Sequence, residues 1–289
     1  MSASTAPSAP RAGVCGWPIA HSRSPLIHQH WLRTLGIEGA YERFAVRPGE
    51  FAAFAASIGR DRLMGANVTL PLKEAAFAAC ERLAADAEGS GAVNTLWREE
   101  GALCGDNTDV AGFLANLDAA APDWRAEAGT AVVLGAGGGA RAIVHALISR
   151  GLERVAIVNR TRRRAEALAA RFGRRATAAP WRELPQWLER GDLLVNATTL
   201  GMAGQGALDI DLKPMKRSAV VADIVYIPLA TPLIEAARRR DLRAVEGLGM
   251  LLHQAAPGFE RWFGARPTVT PELRALVEAD ILAAEGKGS

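Results

Sequence analysis

A glycine-rich turn between a strand and a helix constrains this chain more than any other stretch. Gly135-Ala136-Gly137-Gly138-Gly139-Ala140-Arg141 follows residues 130–134, a short apolar run that reads as a fully buried strand. Residues 142–148 come next and read as a helix packed on a sheet. Strand, turn and helix in that order match the pattern G-x-G-x-x-G/A, with Ala140 at its last position. Glycines at 135 and 137 permit a tight turn and let the backbone approach a diphosphate closely. The helix behind them offers N–H groups and the positive end of its dipole. An ordinary strand-to-helix turn can look the same, so the neighbouring residues have to decide.

Residues 154–158 read as the second parallel strand, and Asn159, Arg160 and Thr161 follow it. A site for NAD places Asp or Glu at the end of that strand, to accept from the ribose 2′-hydroxyl. A carboxylate would repel a 2′-phosphate, whereas a guanidinium binds one through paired, charge-assisted hydrogen bonds. Asn159 and Arg160 therefore point to NADP. Arg162, Arg163 and Arg164 open a helix that runs to about Phe172. A solvated basic face on that helix is the alternative, but the basic run starts where the ribose should lie.

The chain has 289 residues, enough for two domains. Apolar residues make up 49% and charged residues 22%, a soluble, globular balance. Net charge is +3, the arginines are interleaved with acids, and aromatics do not alternate with basic residues, so no nucleic acid is expected as a partner. No apolar run approaches the length of a membrane span. Residues 1–13 are rich in Ala, Ser and Pro and lack an apolar core segment, so they read as a disordered tail rather than a secretory signal. Cys15, Cys80 and Cys104 are odd in number and have no C-x-x-C spacing, which fits reduced thiols in the cytoplasm.

Taken in order, Val14–His21 is a short strand breaking into a turn. Ser24 reads as an N-cap with Pro25 at the first helical position, and the helix runs to about Leu35. The Ser22 and Ser24 hydroxyls beside that N-terminus suit a substrate carboxylate, with capping alone as the alternative. His21, His28 and His30 show no metal-ligand spacing and read as structural or surface groups. Residues 40–46 read as a strand, 48–58 as a helix and 63–68 as a third strand, which suggests a parallel sheet with crossover helices. Asn67, Thr69 and Lys73 lie at the carboxyl end of that strand, where such sheets place ligands. Lys73 falls in a first helical turn, where the dipole disfavours a cation, so helix stability gives no reason for it. That helix is expected to reach about Ala85. Asn94 and Thr95 open a hairpin that turns at residues 98–101. Asp109 begins a helix to about Leu117, and N-terminal dipole complementation would explain it equally well. Further buried strands are expected at 192–198, 219–226 and 243–246, with Thr198, Ile224 and Tyr226 at carboxyl ends. Gly247 leads into a long apolar helix to about Phe263, interrupted by His253 and Gln254, and a final helix runs from Pro271 to about Ala284.

Seven segments together resemble the shikimate dehydrogenase family over nearly the whole chain from Val14 onward. They are residues 16–25, 67–73, 91–95, 107–109, 135–141, 159–161 and 249–254, in that order. Gln29 stands where Asn is common in the family and Leu200 where a small polar residue is common; neither touches the implied chemistry. The resemblance implies a two-domain α/β fold. A discontinuous substrate domain, residues 14–112 and 247–289, would carry a mostly parallel sheet, and residues 113–246 would form a Rossmann-type NADP domain. The active site would lie in the cleft. It implies Lys73 and Asp109 as the catalytic pair. Ser22, Ser24, Asn67, Thr69, Lys73, Asn94, Asp109, Tyr226 and Gln254 would hold the substrate. Gly135, Ala136, Gly137, Gly138, Gly139, Asn159, Arg160, Thr161, Arg164, Thr198, Ile224 and Gly247 would contact NADP. The implied activity is NADPH-dependent, reversible reduction of 3-dehydroshikimate to shikimate in aromatic amino acid biosynthesis, by a cytoplasmic monomer or homodimer with no metal. Two alternatives stay open on the residues alone. One is a quinate or aminoquinate dehydrogenase on the same scaffold; the other is a catalytically silent NADP-binding protein, against which the presence of both Lys73 and Asp109 argues.

Overall fold

The computed structural model describes residues 9–127 and 129–286. They divide into two compact units. One comprises the described residues up to Thr108 together with Ala255–Val277; the other comprises Asp109–Gln254 and the chain from Glu278 onward.

In the first unit the elements run β1 (Arg11–Gly16), α1 (Ser24–Thr34), β2 (Ala40–Ala45), α2 (Phe51–Ser57), β3 (Leu63–Val68), α3 (Lys73–Ala79), β4 (Arg82–Leu83), α4 (Ala85–Ser90), β5 (Thr95–Glu99) and β6 (Ala102–Asp106). The sheet order is β2-β1-β3-β5-β6-β4. β1 pairs in parallel with β2 and β3, and β4 with β6, while β5 runs antiparallel to β3 and β6 to β5. The sheet is therefore mixed, parallel at both edges with an antiparallel hairpin between. The crossovers through α1 and α2 give the parallel pairing of β1 with β2 and β3, and a tight hairpin joins β5 to β6. That hairpin turns at Glu100 and Gly101, both at positive φ (50° and 85°), as a two-residue turn matched to strand twist requires.

Three expectations change here. The strand begins at Arg11, so residues 11–13 are not part of a disordered tail; residues 1–8 lie outside the described residues. Arg11 reaches across to Glu42 on β2 with two hydrogen bonds (3.2 and 2.8 Å), and Ala12 is fully buried, although neither looks like a strand former in an Ala/Pro-rich context. The helix after Lys73 stops at Ala79 rather than near Ala85. The chain then pairs with β6, Glu81 N donating to Leu103 O (2.8 Å) and Ala84 N to Gly105 O (2.9 Å). Such an edge pairing is set by a distant strand, so local propensity carries no trace of it. Finally, Ser24 does not cap α1, which has no side-chain cap; Ser22 Oγ instead accepts from Ser24 N (3.3 Å).

In the second unit the order is α5 (Asp109–Ala120), α6 (Trp124–Glu127), β7 (Thr130–Leu134), α7 (Gly138–Ser149), β8 (Arg154–Val158), α8 (Arg162–Ala170), β9 (Ala176–Ala179), α9 (Leu184–Arg190), β10 (Leu193–Asn196), β11 (Val220–Asp223), α10 (Pro232–Arg239) and β12 (Arg243–Val245). α11 (Leu248–Phe263) and α12 (Pro271–Glu285) complete the chain. The sheet order is β12-β11-β10-β7-β8-β9, every pair parallel. Numbered from β7, this is the 3-2-1-4-5-6 arrangement read backwards, with its switch point between β7 and β10. The central strands are buried throughout, and Val132, Leu134, Val158 and Leu194 pack on one face while Val133, Ile157 and Val195 pack on the other. β9 went unread because its four residues are Ala, Thr, Ala and Ala, poor strand formers held by pairing with β8. β11 is shorter than the apolar run around it, because Asp223 turns the chain back on itself: its Oδ1 accepts from Val225 N (2.9 Å).

The division between units falls after Thr108 and after Gln254, whereas the sequence suggested 112 and 247. The first turns of α5 and α11 pack closely: a Cβ on Gly112 would lie 2.6 Å from that of Gln254. Asn116 Nδ2 also donates to Glu246 O (2.7 Å). Both segments therefore belong to the second unit. Among the described residues no helix is long and apolar enough to cross a membrane.

Candidate active site

The glycine turn sits at the switch point. Gly135 has φ +110°, a conformation that L side chains avoid, and a Cβ there would lie 2.8 Å from Ala197 O beyond the end of β10. Gly135 N donates to Val158 O (2.8 Å), which ties the turn to the end of β8. α7 then starts at Gly138 with no side-chain cap. A Cβ on Gly137 would meet nothing within 4 Å, so packing within the protein does not require a glycine there. The space it leaves lies in front of the helix N-terminus, where a diphosphate would be stabilised. Gly139 faces Ile224, and Gly247 approaches the Ile224 and Val225 backbone so closely that a Cβ would lie 2.5 Å from Val225 O. Gly135, Gly139, Thr198, Ile224 and Gly247 thus gather at the carboxyl edge of this sheet.

At the end of β8, Asn159 Nδ2 donates to Thr161 O (2.9 Å), which fixes the short turn before α8. Arg160 is exposed, and among the described residues no hydrogen bond or ion pair holds it. Arg162 is committed, its Nε donating to Glu166 Oε1 at 2.7 Å. The basic run is therefore unequal: one guanidinium is neutralised by an i, i+4 partner, and Arg160 stands ready for an anion. These features fit a dinucleotide that carries a 2′-phosphate.

Behind this edge lies a buried cluster that the sequence suggested only as strand ends. Asn196 Nδ2 donates to Asp223 Oδ1 (2.9 Å), Thr231 Oγ1 donates to Asp223 Oδ2 (2.7 Å), and Asn196 Oδ1 accepts from Thr198 N and Oγ1 (3.1 and 2.7 Å). Thr231 also caps α10, accepting from Ile234 N. Asp223 therefore binds together the loop bearing Thr198, the loop bearing Ile224 and Tyr226, and the start of α10. Burial pushes its carboxyl up to about 6, against the opposing pull of its three hydrogen bonds. The available signal was a polar residue closing each of two otherwise apolar strands.

The first unit carries a second cluster. Asn67, near the end of β3, is buried; its Nδ2 donates to Asn94 O and Thr95 Oγ1, both at 3.2 Å. Asn94 Oδ1 accepts from Thr95 Oγ1 (2.9 Å), Thr108 N (2.8 Å) and Thr108 Oγ1 (3.1 Å). That sets the amide's orientation and places its NH2 group on the opposite side. Thr69 continues β3, its N donating to Cys15 O (2.9 Å), and its methyl lies against Gly16. Lys73, half-buried, is the first residue of α3, and its carbonyl accepts from Val93 N (3.0 Å), so the helix start is bound to the segment carrying Asn94. Ser22 and Ser24 are buried just ahead of α1 and at its first residue. In the second unit, Asp109 is the buried first residue of α5, and Gln254, also buried, packs beside Gly112 one turn along. Tyr226 is half-buried.

A doubly wound unit with a glycine turn at its switch point, joined to an α/β unit with a lysine at a strand's carboxyl end, defines a dinucleotide-dependent oxidoreductase. Family profiles sharpen this. One described as shikimate dehydrogenase substrate binding domain matches residues 14–96, shikimate/quinate 5-dehydrogenase matches 120–232, and shikimate 5′-dehydrogenase C-terminal domain matches 247–271. The chain is 59% identical over 274 residues to shikimate dehydrogenase (NADP(+)) of Methylocella silvestris, covering 95% of this chain and 98% of that one. Among solved structures, shikimate 5-dehydrogenase of Thermus thermophilus in complex with NADP(H) and shikimate superposes with a TM-score of 0.82 at 37% identity, over 95% and 99% of the two chains. Quinate dehydrogenase of Corynebacterium glutamicum in complex with NAD superposes with a TM-score of 0.85 at 27% identity, over 94% and 99%. The chain belongs to the shikimate dehydrogenase family.

Proposed function

We propose that this chain catalyses the reversible reduction of 3-dehydroshikimate to shikimate with NADPH, a step in aromatic amino acid biosynthesis. The observation that carries the cofactor choice is Arg160, exposed at the end of β8 where an NAD site would place a carboxylate. Gly135 to Gly139 and the start of α7 would hold the diphosphate. Arg160 and Arg164, with Asn159 and Thr161, would hold the 2′-phosphate, while Thr198, Ile224 and Gly247 would line the nicotinamide end. When bound, the cofactor supplies the hydride.

The chain's own part is positioning and proton transfer. Negative charge grows on the C3 oxygen during reduction and needs a donor within hydrogen-bond reach. Lys73, as an ammonium, stabilises that charge and gives the proton; in the oxidative direction its neutral form takes the proton back. Asp109 orients the lysine and binds a neighbouring hydroxyl. Ser22 and Ser24 hold the carboxylate, and Thr69 and Tyr226 are further substrate contacts. Asn94, through the NH2 group that its three donors turn outward, reads a ring hydroxyl, as do Gln254 and Asp109. A site built around hydroxyls rejects an analogue lacking one more strongly than an analogue with one added, so quinate is the competitor to test. The enzyme works in the cytoplasm as a monomer or homodimer, without nucleic acid or membrane.

The test is absorbance at the NADPH band with shikimate or quinate, each with NADP or NAD. Turnover with shikimate and NADP alone is expected. Turnover with quinate, or equal use of NAD, moves the chain toward the quinate dehydrogenase reading that the C. glutamicum likeness keeps in view. No turnover with any pair, alongside NADP binding in a calorimeter, replaces the enzyme with a binding protein.

A further inference from the structure

β2 is the edge strand of the first sheet and contributes none of the residues assigned to substrate or cofactor. Two of its side chains, Tyr41 and Arg43, are two residues apart and so project on the same face. Each reaches a residue proposed to hold substrate. Arg43 closes a guanidinium fork on Ser22 O, its Nε at 3.1 Å and its Nη2 at 2.6 Å. Tyr41 is buried, and its hydroxyl donates to Asn67 Oδ1 at 2.5 Å.

The chemistry of these partners fixes their order. Asn67 turns its NH2 toward Asn94 O, which can only accept, so its Oδ1 faces Tyr41. Tyr41 therefore spends its single hydrogen on Asn67. One hydroxyl thereby joins β2 to the end of β3, and through Asn67 to Asn94, Thr95 and Thr108. The phenol ring has no freedom to leave. His28 lies flat against it, with ring centroids 3.8 Å apart and planes 4° off parallel, and Trp262 packs beside both rings, its centroid 6.0 Å from that of Tyr41. His28 is fully buried with no hydrogen-bond partner on either ring nitrogen among the described residues, so it acts as an aromatic plate and not as a polar group.

We propose that Tyr41 and Arg43 are positioning residues for substrate: through Arg43 the strand β2 holds Ser22, and through Tyr41 it holds Asn67 and, by way of Asn67, Asn94. The inference rests on the proposed role of that serine and those amides in holding the substrate. Without the Tyr41 hydroxyl, Asn67 Oδ1 is a buried acceptor with no donor among the described residues.

The experiment compares Tyr41→Phe, which keeps the ring in its stack, and Arg43→Gln, at an exposed position, with the unaltered chain. KM for shikimate should rise about tenfold in the first and about threefold in the second. kcat should stay within about threefold and KM for NADP within about twofold, because the cofactor-side residues belong to the other unit. An unchanged shikimate KM in both variants, accompanied only by a lower melting temperature, makes Tyr41 an ordinary core residue and overturns the proposal. So does an equal rise in both KM values. If the unaltered chain shows no turnover, calorimetric shikimate affinity takes the place of KM and the same comparison stands. If it also fails to bind shikimate, the functional reading has fallen first, and this inference falls with it.

Discussion

Two buried asparagines, Asn67 and Asn196, occupy matching places in the two units: each sits at the carboxyl end of a strand, and each is bound through both ends of its amide. Their surroundings differ. Asn67 is held by hydroxyls and a carbonyl, and no member of its cluster titrates between pH 4 and 8; burial holds the Tyr41 phenol well above its ordinary range. Asn196 is held by a carboxylate, Asp223, whose carboxyl is pushed up to about 6. A neutral network and a titrating one do the same mechanical work, which is to set loops at a strand end. The neutral network contains no group that ionises in the range where Asp223 does. The charged one ties three segments with one side chain, because a carboxylate accepts from several donors at once, and it thereby makes the cofactor-side loops sensitive to pH.

Lys73→Ala is the severest test of the division of labour between the units. Loss of a positioned proton donor should lower kcat by about 10²–10⁴-fold, while calorimetry finds NADP affinity unchanged. A variant that loses cofactor affinity instead would place Lys73 on the wrong side of the comparison.

Arg160→Ala addresses the other unit. Losing a charge-assisted contact to phosphate costs about 1.5–3 kcal/mol, so kcat/KM for NADP should fall by about tenfold to a hundredfold with that for NAD little changed. Equal losses with both cofactors would remove the 2′-phosphate from the explanation.

The contrast between the asparagines itself is tested by stability against pH. Because Asp223 has a folded value raised above its ordinary one, its favourable contribution is complete below about pH 3.8 and is lost as pH rises through about 6. A rise of that size corresponds to about 3 kcal/mol, as an upper figure. Chemical denaturation should therefore show the unaltered chain losing ground to Asp223→Asn between pH 4 and 7 and holding level above. The gap between the unaltered chain and Tyr41→Phe, about 1–2 kcal/mol, should be flat over the same range. Parallel curves for both variants would erase the distinction.

The smallest effect belongs to Glu166→Ala. Releasing Arg162 from its exposed pair should cost at most about 0.5 kcal/mol in stability. NADP affinity should rise slightly, as a further guanidinium becomes available, and titration at low salt would detect it.

Much of this molecule could be read from the chain. The glycine turn, its flanking strand and helix, and Arg160 lie close together in sequence, and their chemistry is local. Lys73 stands out in the sequence for a local reason, since a cation at a helix N-terminus has no stabilising reason to be there, and its catalytic role is a proposal. What stayed hidden depended on distant partners. β4 and β9 exist because β6 and β8 offer them hydrogen bonds, and their own residues are indifferent. Ser24 looked like a cap because caps are local, and Tyr41 went unmarked because its partner, Asn67, lies on another strand. Asp223 passed for an interior residue of a strand running to Tyr226, because Asn196 and Thr231, which converge on it, come from two other segments.

The chain has only two tyrosines, Tyr41 and Tyr226. One is sealed in an aromatic stack; the other is half-exposed on the loop after β11. A reagent that nitrates accessible phenols therefore labels a single position in the folded protein. The molecule carries its own reporter at the loop proposed to touch substrate, and protection of that one ring by shikimate can be read without introducing any foreign probe.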